Sequence, residues 1–382
     1  MSPGIEDLLS TGLEPHSDTG RPSYAGAVAV AHVAGVDLPE VAVGEAVRYP
    51  DASGAPLPPA ERVPMTVDTI FDLASVTKLV TALVLLTLLE EGRLGLDEPV
   101  ATWLPSFRLG DWRRITLRHL LTHTAGLPPR LDSGYAPPRT PAPPRRPSAV
   151  DKARTPVEQT VLELGSRVAL EYPPGTGFRY SDVGYLVAGH VATVVGGEPL
   201  DALVRSRVTE PLGMRDTGYR PAPALLPRIA ATEYRPERRT DGCVRGEVHD
   251  STCFRLGGVS GHAGLFGTAR DLLRLGKALL YGGSLDAGAR RILRPETVVE
   301  MTRNQLVGFS HVPYGHGLGV RIGDPALAPW GYGHTGFTGT SLLIDPDRET
   351  VLVLLTNRIH PSRHWSTGVP VRPLLAAHLR RL

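Results

Sequence analysis

The pattern of apolar and polar positions divides the chain into strand-like ends and a helical middle. Residues 79–89 are nearly all apolar and consist of helix formers, which predicts a buried helix that begins near Ser75. Runs rich in Val and Ala at residues 25–32 and at Val41–Val47 predict two neighbouring strands. Further helices are predicted at residues 5–13, Leu117–Leu121, 184–195, 271–280 and 371–382, and further strands at residues 316–322, 334–344 and 350–355.

This order of elements predicts an α+β fold. Strands at both ends of the chain indicate one sheet built from both termini, with a helical lobe inserted between them. The sheet lobe is predicted at about residues 1–75 and 255–382, and the helical lobe at about 76–254. Between Pro128 and Pro147 the chain is too rich in proline for a helix or an inner strand, which predicts a long loop.

A Ser-x-x-Lys motif stands at the head of the apolar helix, at Ser75 and Lys78. Residues three apart share one face of a helix, so the lysine can reach the serine hydroxyl. A serine hydroxyl is a weak nucleophile and needs a nearby base, which Lys78 can supply. The start of the helix also offers free N–H groups and a positive dipole end for an anionic intermediate. The Ser-x-x-Lys motif is common by chance, so only the surrounding sequence can indicate whether it is catalytic.

Two further motifs follow in order. Tyr180-Ser181-Asp182 lies in a glycine-containing segment just ahead of a predicted helix, and His334-Thr335-Gly336 opens the predicted strand at residues 334–344. With the Ser-x-x-Lys motif, these resemble the signatures of the serine β-lactamase and penicillin-binding protein superfamily. The resemblance is closer to the branch that holds class C β-lactamases, family VIII carboxylesterases, D-stereospecific peptidases and transesterases. Residues 120–127, 257–266 and 334–341, with Asn357 and Arg358, also match runs of that branch and extend the resemblance over nearly the whole chain.

The resemblance implies an α/β/α sandwich with an antiparallel sheet and an inserted all-α lobe. It also implies that Ser75 attacks a carbonyl to form an acyl-enzyme, while Lys78 and Tyr180 move the proton as one coupled unit. The backbone N–H groups of Ser75 and Phe337 would form the oxyanion hole. The side chains of Asp182, His334 and Thr335, with Gly336, would line the substrate pocket.

Two departures from the resembled pattern bear on the substrate. Asp182 stands where β-lactamases of this branch usually have asparagine, and its carboxylate would either repel an anionic substrate or hold Lys78 charged. His334 replaces a lysine, so the third motif offers no permanent cation for a β-lactam carboxylate. Both changes favour esters or amides over β-lactams. A class A arrangement through Ser181 and Glu300 is the weaker alternative, because Val183 replaces the asparagine it requires.

Composition and charge limit the binding partners, location and cofactors that we expect. With 41% hydrophobic and 21% charged residues and a net charge of +2, the chain gives no electrostatic case for binding nucleic acid or an anionic membrane. The first residues lack a basic segment followed by an apolar run, so we expect a cytoplasmic protein. Cys243 and Cys253 could pair, but reduced thiols are the simpler expectation. His262, His311 and His316 fit no standard metal spacing, and we expect neither a metal nor another cofactor.

The sequence therefore predicts a serine acyl-transfer enzyme that takes a small-molecule ester or amide as acyl donor. Whether water, an amine or an alcohol accepts the acyl group is open, so esterase and transacylase are both retained. A D-amino-acid peptidase, a weak β-lactamase, and a sensor that is acylated but turns over poorly remain as alternatives. His123 is expected to be a structural hydrogen-bonding residue. The arginines of the proline-rich region, Arg130, Arg139, Arg145 and Arg146, are expected to be solvated charges.

Overall fold

The computed structural model describes residues 4–131, 155–285, 291–366 and 368–382. Its helices are α1 Ile5–Thr11, α2 Thr77–Glu90, α3 Leu117–Leu121, α4 Pro156–Arg167, α5 Asp182–Gly196, α6 Leu200–Val204, α7 Ser251–Arg255, α8 Ala269–Leu280, α9 Pro295–Thr302 and α10 Val371–Leu379. Its strands are β1 Gly26–Val33, β2 Val36–Asp37, β3 Val41–Val47, β4 Val63–Pro64, β5 Phe71–Asp72, β6 Gly218–Tyr219, β7 Leu265–Gly267, β8 Gly315–His316, β9 Arg321–Ile322, β10 Tyr332–Thr335, β11 Ser341–Asp345 and β12 Thr350–Thr356.

The two ends of the chain meet in one antiparallel sheet. Strand β1 pairs with β12 from Ala27 opposite Thr356 to Val33 opposite Thr350, and with β3 on its other side. The order across the sheet is β4-β3-β1-β12-β11-β10-β9-β8, with β2 added beside β1. The predicted α+β fold with a sheet built from both termini is confirmed, while the lobe boundaries near residues 75 and 255 stay predictions.

Helices cover both faces of this sheet. Successive strand residues point to opposite faces, so Val28 and Val30 of β1 join one core cluster with Leu272 and Leu275 of α8. The alternate residues of β1, Ala27, Ala29 and Ala31, join a second cluster with residues of α1 and α10. Burial on both faces explains why β1 and β12 are continuous apolar runs in the sequence.

Helix α2 forms the centre of the helical region. From Thr77 to Leu86 every residue is buried, and the helix packs against α5 and α6. A helix that is apolar all round belongs in the interior of a protein, as the sequence predicted. None of the helices in the described ranges combines the length and the apolar character that crossing a bilayer requires.

Two predicted strands were wrong in detail. Residues 316–322 form two short strands, β8 and β9, because Gly319 adopts a φ of +84° between them. A Cβ atom at Gly319 would lie 2.5 Å from the Cβ atom of Ala82 on α2, so the turn also needs glycine for its close approach to the helix. The predicted strand at residues 334–344 is a hairpin of β10 and β11, whose turn contains Gly339 at a φ of +106°.

A second, three-stranded sheet in the order β5-β7-β6 was not predicted from the sequence. Its strands are only two or three residues long, too short for an alternating pattern to stand out. Its strand β5 lies directly before the Ser75 segment in the chain. Residues 132–147 of the proline-rich region, with Arg139, Arg145 and Arg146, lie outside the described residues.

Candidate active site

Ser75 lies in a short helical turn, Ala74–Val76, between β5 and α2. Ala74 has a φ of +46°, a conformation that non-glycine residues rarely adopt. The buried Asp72 carboxylate supports this strained turn by accepting hydrogen bonds from the N–H of Ala74 at 2.8 Å and of His249 at 2.7 Å. Thr340 Oγ1 donates to the Leu73 carbonyl at 3.0 Å and ties the turn to the β10–β11 hairpin. The serine is thereby fixed between the small sheet, α2 and the hairpin.

Lys78 follows one turn later and is fully buried. Its Nζ lies 2.9 Å from Ser75 Oγ, 3.0 Å from the His262 carbonyl oxygen and 2.7 Å from Asp182 Oδ1. Burial by itself lowers the pKa of Lys78, but the Asp182 carboxylate and the Tyr180 hydroxyl outweigh it, so the pKa is raised above its ordinary value. Asp182 was expected either to repel an anionic substrate or to hold Lys78 charged, and this geometry supports the second effect.

The loop that holds Lys78 is itself fixed by a histidine. The His262 ring lies between Ser260 Oγ, 2.8 Å from Nδ1, and Asp250 Oδ1, 3.0 Å from Nε2. Both ring nitrogens therefore have protein partners, and the carbonyl of the same residue is left to accept from Lys78. In the described ranges, no group of three or more His, Cys, Asp or Glu side chains is arranged to hold a metal ion.

Tyr180 reaches the same place from the segment before α5. Its ring centroid lies 5.0 Å from Lys78 Nζ. The guanidinium of Arg321, a residue of β9, lies 5.0 Å from the same centroid. The next residue, Ser181, caps α5 by accepting from the Gly184 N–H at 3.0 Å and donates its own hydroxyl to the Pro128 carbonyl at 2.6 Å. Ser181 is buried, whereas Ser75 and Tyr180 border an open cavity.

That cavity has a volume of about 850 Å³. The sequence-predicted residues that line it are Ser75, Tyr180, Asp182, Thr335, Gly336 and Phe337, and Lys78 reaches it through its bond to Ser75. The Phe337 N–H donates to no backbone acceptor in the described part of the chain. This leaves it available as the oxyanion donor that the sequence predicts.

His334 does not line this cavity, which corrects the expectation that its side chain borders the substrate. Side chains alternate along β10, and that of His334 points into the protein, where it is fully buried and its Nδ1 lies 2.8 Å from the Thr335 carbonyl oxygen. Burial lowers the pKa of His334 well below its ordinary value. The residue is therefore neutral and supplies no cation.

Arg321 brings a guanidinium to the cavity beside Tyr180 and was not predicted from the sequence. It pairs with Gly333 across β9 and β10, lines the cavity beside Tyr180, and contacts Asp324 with Nη1 2.9 Å from Oδ2. Its side chain is 15% exposed, so it keeps access to the cavity. Nothing local in the sequence marks this arginine, because its place depends on the pairing of two short strands.

Phe337 also lines the cavity, and its side chain is 39% exposed. Its ring stacks on His249, with centroids 5.8 Å apart. Its carbonyl oxygen accepts hydrogen bonds from Nη2 of Arg358 at 2.6 Å and from Nε at 3.2 Å. This fork fixes the residue that carries the predicted oxyanion donor.

Beside Phe337, the cavity is lined by an ion-pair network of Arg363, Glu233 and His249. Arg363 binds both carboxylate oxygens of Glu233, with contacts of 2.6 to 3.0 Å, and His249 Nε2 lies 2.9 Å from the same carboxylate. These contacts outweigh the effect of burial and hold the pKa of Glu233 well below its ordinary value. Cys243 and Cys253 are free and buried.

Comparison with known proteins gives the family. A sequence model of the family described as Beta-lactamase matches residues 39–370. The chain belongs to the β-lactamase family. A curated protein of Salmonella typhimurium named "Putative D-alanyl-D-alanine carboxypeptidase" is 32% identical over 330 residues, which cover 79% of this chain and 72% of that protein.

The chain is also similar to solved structures. "EstCE1, a hydrolase with promiscuous acyltransferase activity" is 27% identical, with a TM-score of 0.67, over 96% of this chain and 95% of that one. The D-amino acid amidase from Ochrobactrum anthropi SV3 is 23% identical, with a TM-score of 0.67, over 98% of both chains, a likeness that shows the fold alone. In this β-lactamase-family chain, the three motifs separated by about a hundred residues or more meet at one cavity.

Proposed function

We propose that this protein is a serine acyl-enzyme hydrolase or acyltransferase that acts on small-molecule esters or amides. The observation that carries the proposal is the contact of the buried Lys78 ammonium with Ser75 Oγ at 2.9 Å, in the wall of a cavity that Tyr180 also lines. A nucleophile, a proton-transfer group and a third group that orients it are the parts that covalent catalysis requires.

In the proposed reaction, Ser75 Oγ attacks the carbonyl carbon of the donor while its proton passes to the coupled pair of Lys78 and Tyr180. The N–H groups of Ser75 and Phe337 donate to the resulting oxyanion. Collapse of this intermediate breaks the bond to the leaving group, which takes the proton from the pair. Water, an alcohol or an amine then attacks the acyl-enzyme by the reverse sequence and frees Ser75.

The 850 Å³ cavity supports acceptors larger than water. Pockets of about 300–1,000 Å³ hold drug-sized ligands, so an acyl donor and an organic acceptor can occupy the site in turn. The similarity to a hydrolase with promiscuous acyltransferase activity supports the same proposal. We therefore retain both hydrolysis and transfer as outcomes of one acyl-enzyme.

Turnover of p-nitrophenyl butyrate tests the proposal. We expect steady release of p-nitrophenol by the wild type and none above background by Ser75→Ala. Added alcohols or amines should divert part of the product to the new ester or amide. A single burst of p-nitrophenol without further turnover would instead identify the acylated sensor. Equal turnover by the wild type and Ser75→Ala would refute the proposal.

Arg321 favours a second candidate, a peptidase whose substrates end in a carboxylate. Its guanidinium lines the cavity beside Tyr180 and matches a carboxylate in charge and geometry. The curated relative named as a carboxypeptidase points the same way. A peptide ending in D-Ala-D-Ala should then be cleaved faster than its C-terminal amide, and Arg321→Gln should abolish that preference. Equal cleavage of both peptides by the wild type would exclude this candidate.

A further inference from the structure

His123 is the one described residue that holds the backbone on both sides of Tyr180. Its carbonyl oxygen accepts a hydrogen bond from the Arg179 N–H at 2.9 Å. Its ring Nδ1 accepts a hydrogen bond from the Ser181 N–H at 3.0 Å. The ring also lies against the Tyr180 ring, with centroids 4.4 Å apart. The tyrosine is therefore bracketed by three contacts from a single residue.

The backbone of His123 is in an unfavourable conformation. Its φ is +59°, in the left-handed region that non-glycine residues rarely occupy, and the residue is buried. Such strain persists only where surrounding contacts hold it, and it clusters at functional sites. In this conformation both the carbonyl and the ring of His123 face the segment that carries Tyr180.

The hydrogen bond to Ser181 also sets the protonation of the ring. A backbone N–H can only donate, so Nδ1 must be the acceptor and the proton of the neutral imidazole lies on Nε2. Burial and the neighbouring His316, Lys78, His334 and Arg321 lower the pKa of His123 well below its ordinary value, which agrees with a neutral ring. Nε2 makes no hydrogen bond within the described residues, so the bond to Ser181 is the ring's only polar contact there.

We propose that His123 is a positioning residue for Tyr180. It sets the distance and angle between the tyrosine hydroxyl and the Ser75–Lys78 pair by fixing the backbone at residues 179 and 181. This inference rests on the proposed function, because it assigns His123 a role through Tyr180. A small displacement of a catalytic group can lower a rate by about a hundredfold, so the effect belongs in kcat more than in KM.

Three substitutions separate the features of His123. Asparagine tolerates a positive φ and carries an oxygen two bonds from Cβ, where the histidine has Nδ1, so His123→Asn keeps both the conformation and the acceptor. His123→Gly keeps the conformation and removes the acceptor. His123→Ala removes the acceptor and keeps a Cβ atom that the positive φ disfavours. The Asn and Gly variants form the matched pair, so the test does not depend on whether the Ala variant folds.

With p-nitrophenyl butyrate, His123→Gly should lower kcat by about tenfold to a hundredfold with little change in KM. His123→Asn should recover most of that loss, to within about threefold of the wild type. The same pair is then measured in a Tyr180→Phe background. If His123 acts through Tyr180, the Gly substitution should cause little further loss there, because coupled residues are non-additive.

The kcat values of these variants decide whether His123 positions Tyr180. Wild-type kcat in His123→Gly, or an Asn variant as slow as the Gly variant, would overturn the proposal. A Gly variant whose kcat falls by the same factor in the Tyr180→Phe background would show a general structural role and would also overturn it. Failure of the proposed function is separate, because it would appear as full activity in Tyr180→Phe or Ser75→Ala themselves.

Discussion

Lys78 and Asp182 form an ion pair at the nucleophile, with Nζ 2.7 Å from Oδ1, although the lysine is fully buried and the aspartate side chain is 21% exposed. A buried ammonium is unfavourable unless a charge partner and hydrogen bonds compensate it. Here the same Nζ also contacts Ser75 Oγ and the His262 carbonyl oxygen. The Asp182 carboxylate therefore contacts the lysine of the proposed catalytic pair directly.

Asp182→Asn should move the pH dependence of activity to lower pH. The Asp182 carboxylate is the largest of the effects that raise the pKa of Lys78, and burial opposes it. Without the negative charge, the pKa of Lys78 falls and the lysine loses its proton at lower pH. The form that can accept the Ser75 proton then appears earlier, and the ascending limb of kcat/KM should shift to lower pH.

The measurement is the pH profile of kcat/KM on an uncharged ester, so that substrate ionisation does not contribute. Asp201→Asn is the control, since Asp201 pairs with Arg220 away from the catalytic pair and should leave the profile in place. A limb that stays fixed or moves to higher pH in Asp182→Asn would contradict this account of the ion pair.

Tyr180→Phe should lower kcat by about a hundredfold to ten-thousandfold, the range typical of a general acid–base group. Ser181→Ala should leave kcat nearly unchanged but lower thermal stability, because Ser181 is the N-cap of α5 and also donates to the Pro128 carbonyl. Loss of an N-cap costs about 1 kcal/mol. Steady-state kinetics and thermal unfolding of both variants test the pair. A larger loss of kcat in Ser181→Ala would support the class A arrangement.

Arg358→Lys should lower kcat without a comparable change in KM. The lysine keeps the charge but cannot reproduce the fork on the Phe337 carbonyl oxygen, so the oxyanion donor is less well fixed. We expect a loss of about tenfold to a hundredfold. Arg372→Lys is the matched control, since Arg372 is equally buried but binds Ser341 and the Ala326 carbonyl away from the cavity. An equal loss of kcat in both variants would rule out a specific role for Arg358.

Short-chain esters should be turned over faster than a β-lactam. His334 is buried and neutral where a lysine would offer a cation, and Asp182 brings a carboxylate to the cavity wall. Rates of nitrocefin and p-nitrophenyl butyrate hydrolysis, each corrected with Ser75→Ala, test this preference. Nitrocefin turnover as fast as ester turnover would point to Arg321 as a sufficient anchor for the β-lactam carboxylate.

The features that could be predicted from the sequence are local or carried by motifs. Ser75 and Lys78 meet because helical spacing brings them together. The strands β1 and β3 are rich in Val and Ala, and β12 is rich in Val and Leu. Arg321 and Arg358 could not be predicted to act at the cavity, because their places depend on strand pairing and on a turn between distant segments. His334 was wrongly predicted to line the cavity, because a motif gives the order of residues but not the face of the strand on which each side chain lies.

His123 illustrates the same limit. Its structural hydrogen bond was expected, but the sequence gives no sign of its positive φ or of its partner at Ser181. Both depend on the packing of the segment after α3 against the segment before α5. Backbone strain of this kind is set by tertiary structure and leaves no local pattern.

Covalent labelling determines whether Ser75 is the nucleophile. The wild-type protein is incubated with a fluorophosphonate or an activated ester, its intact mass is measured, and the labelled peptide is sequenced by tandem mass spectrometry. We predict the addition of one label at Ser75 in the wild type and none in Ser75→Ala. Thermal unfolding curves of both proteins verify that each is folded. Labelling of another residue that persists in Ser75→Ala would contradict the account.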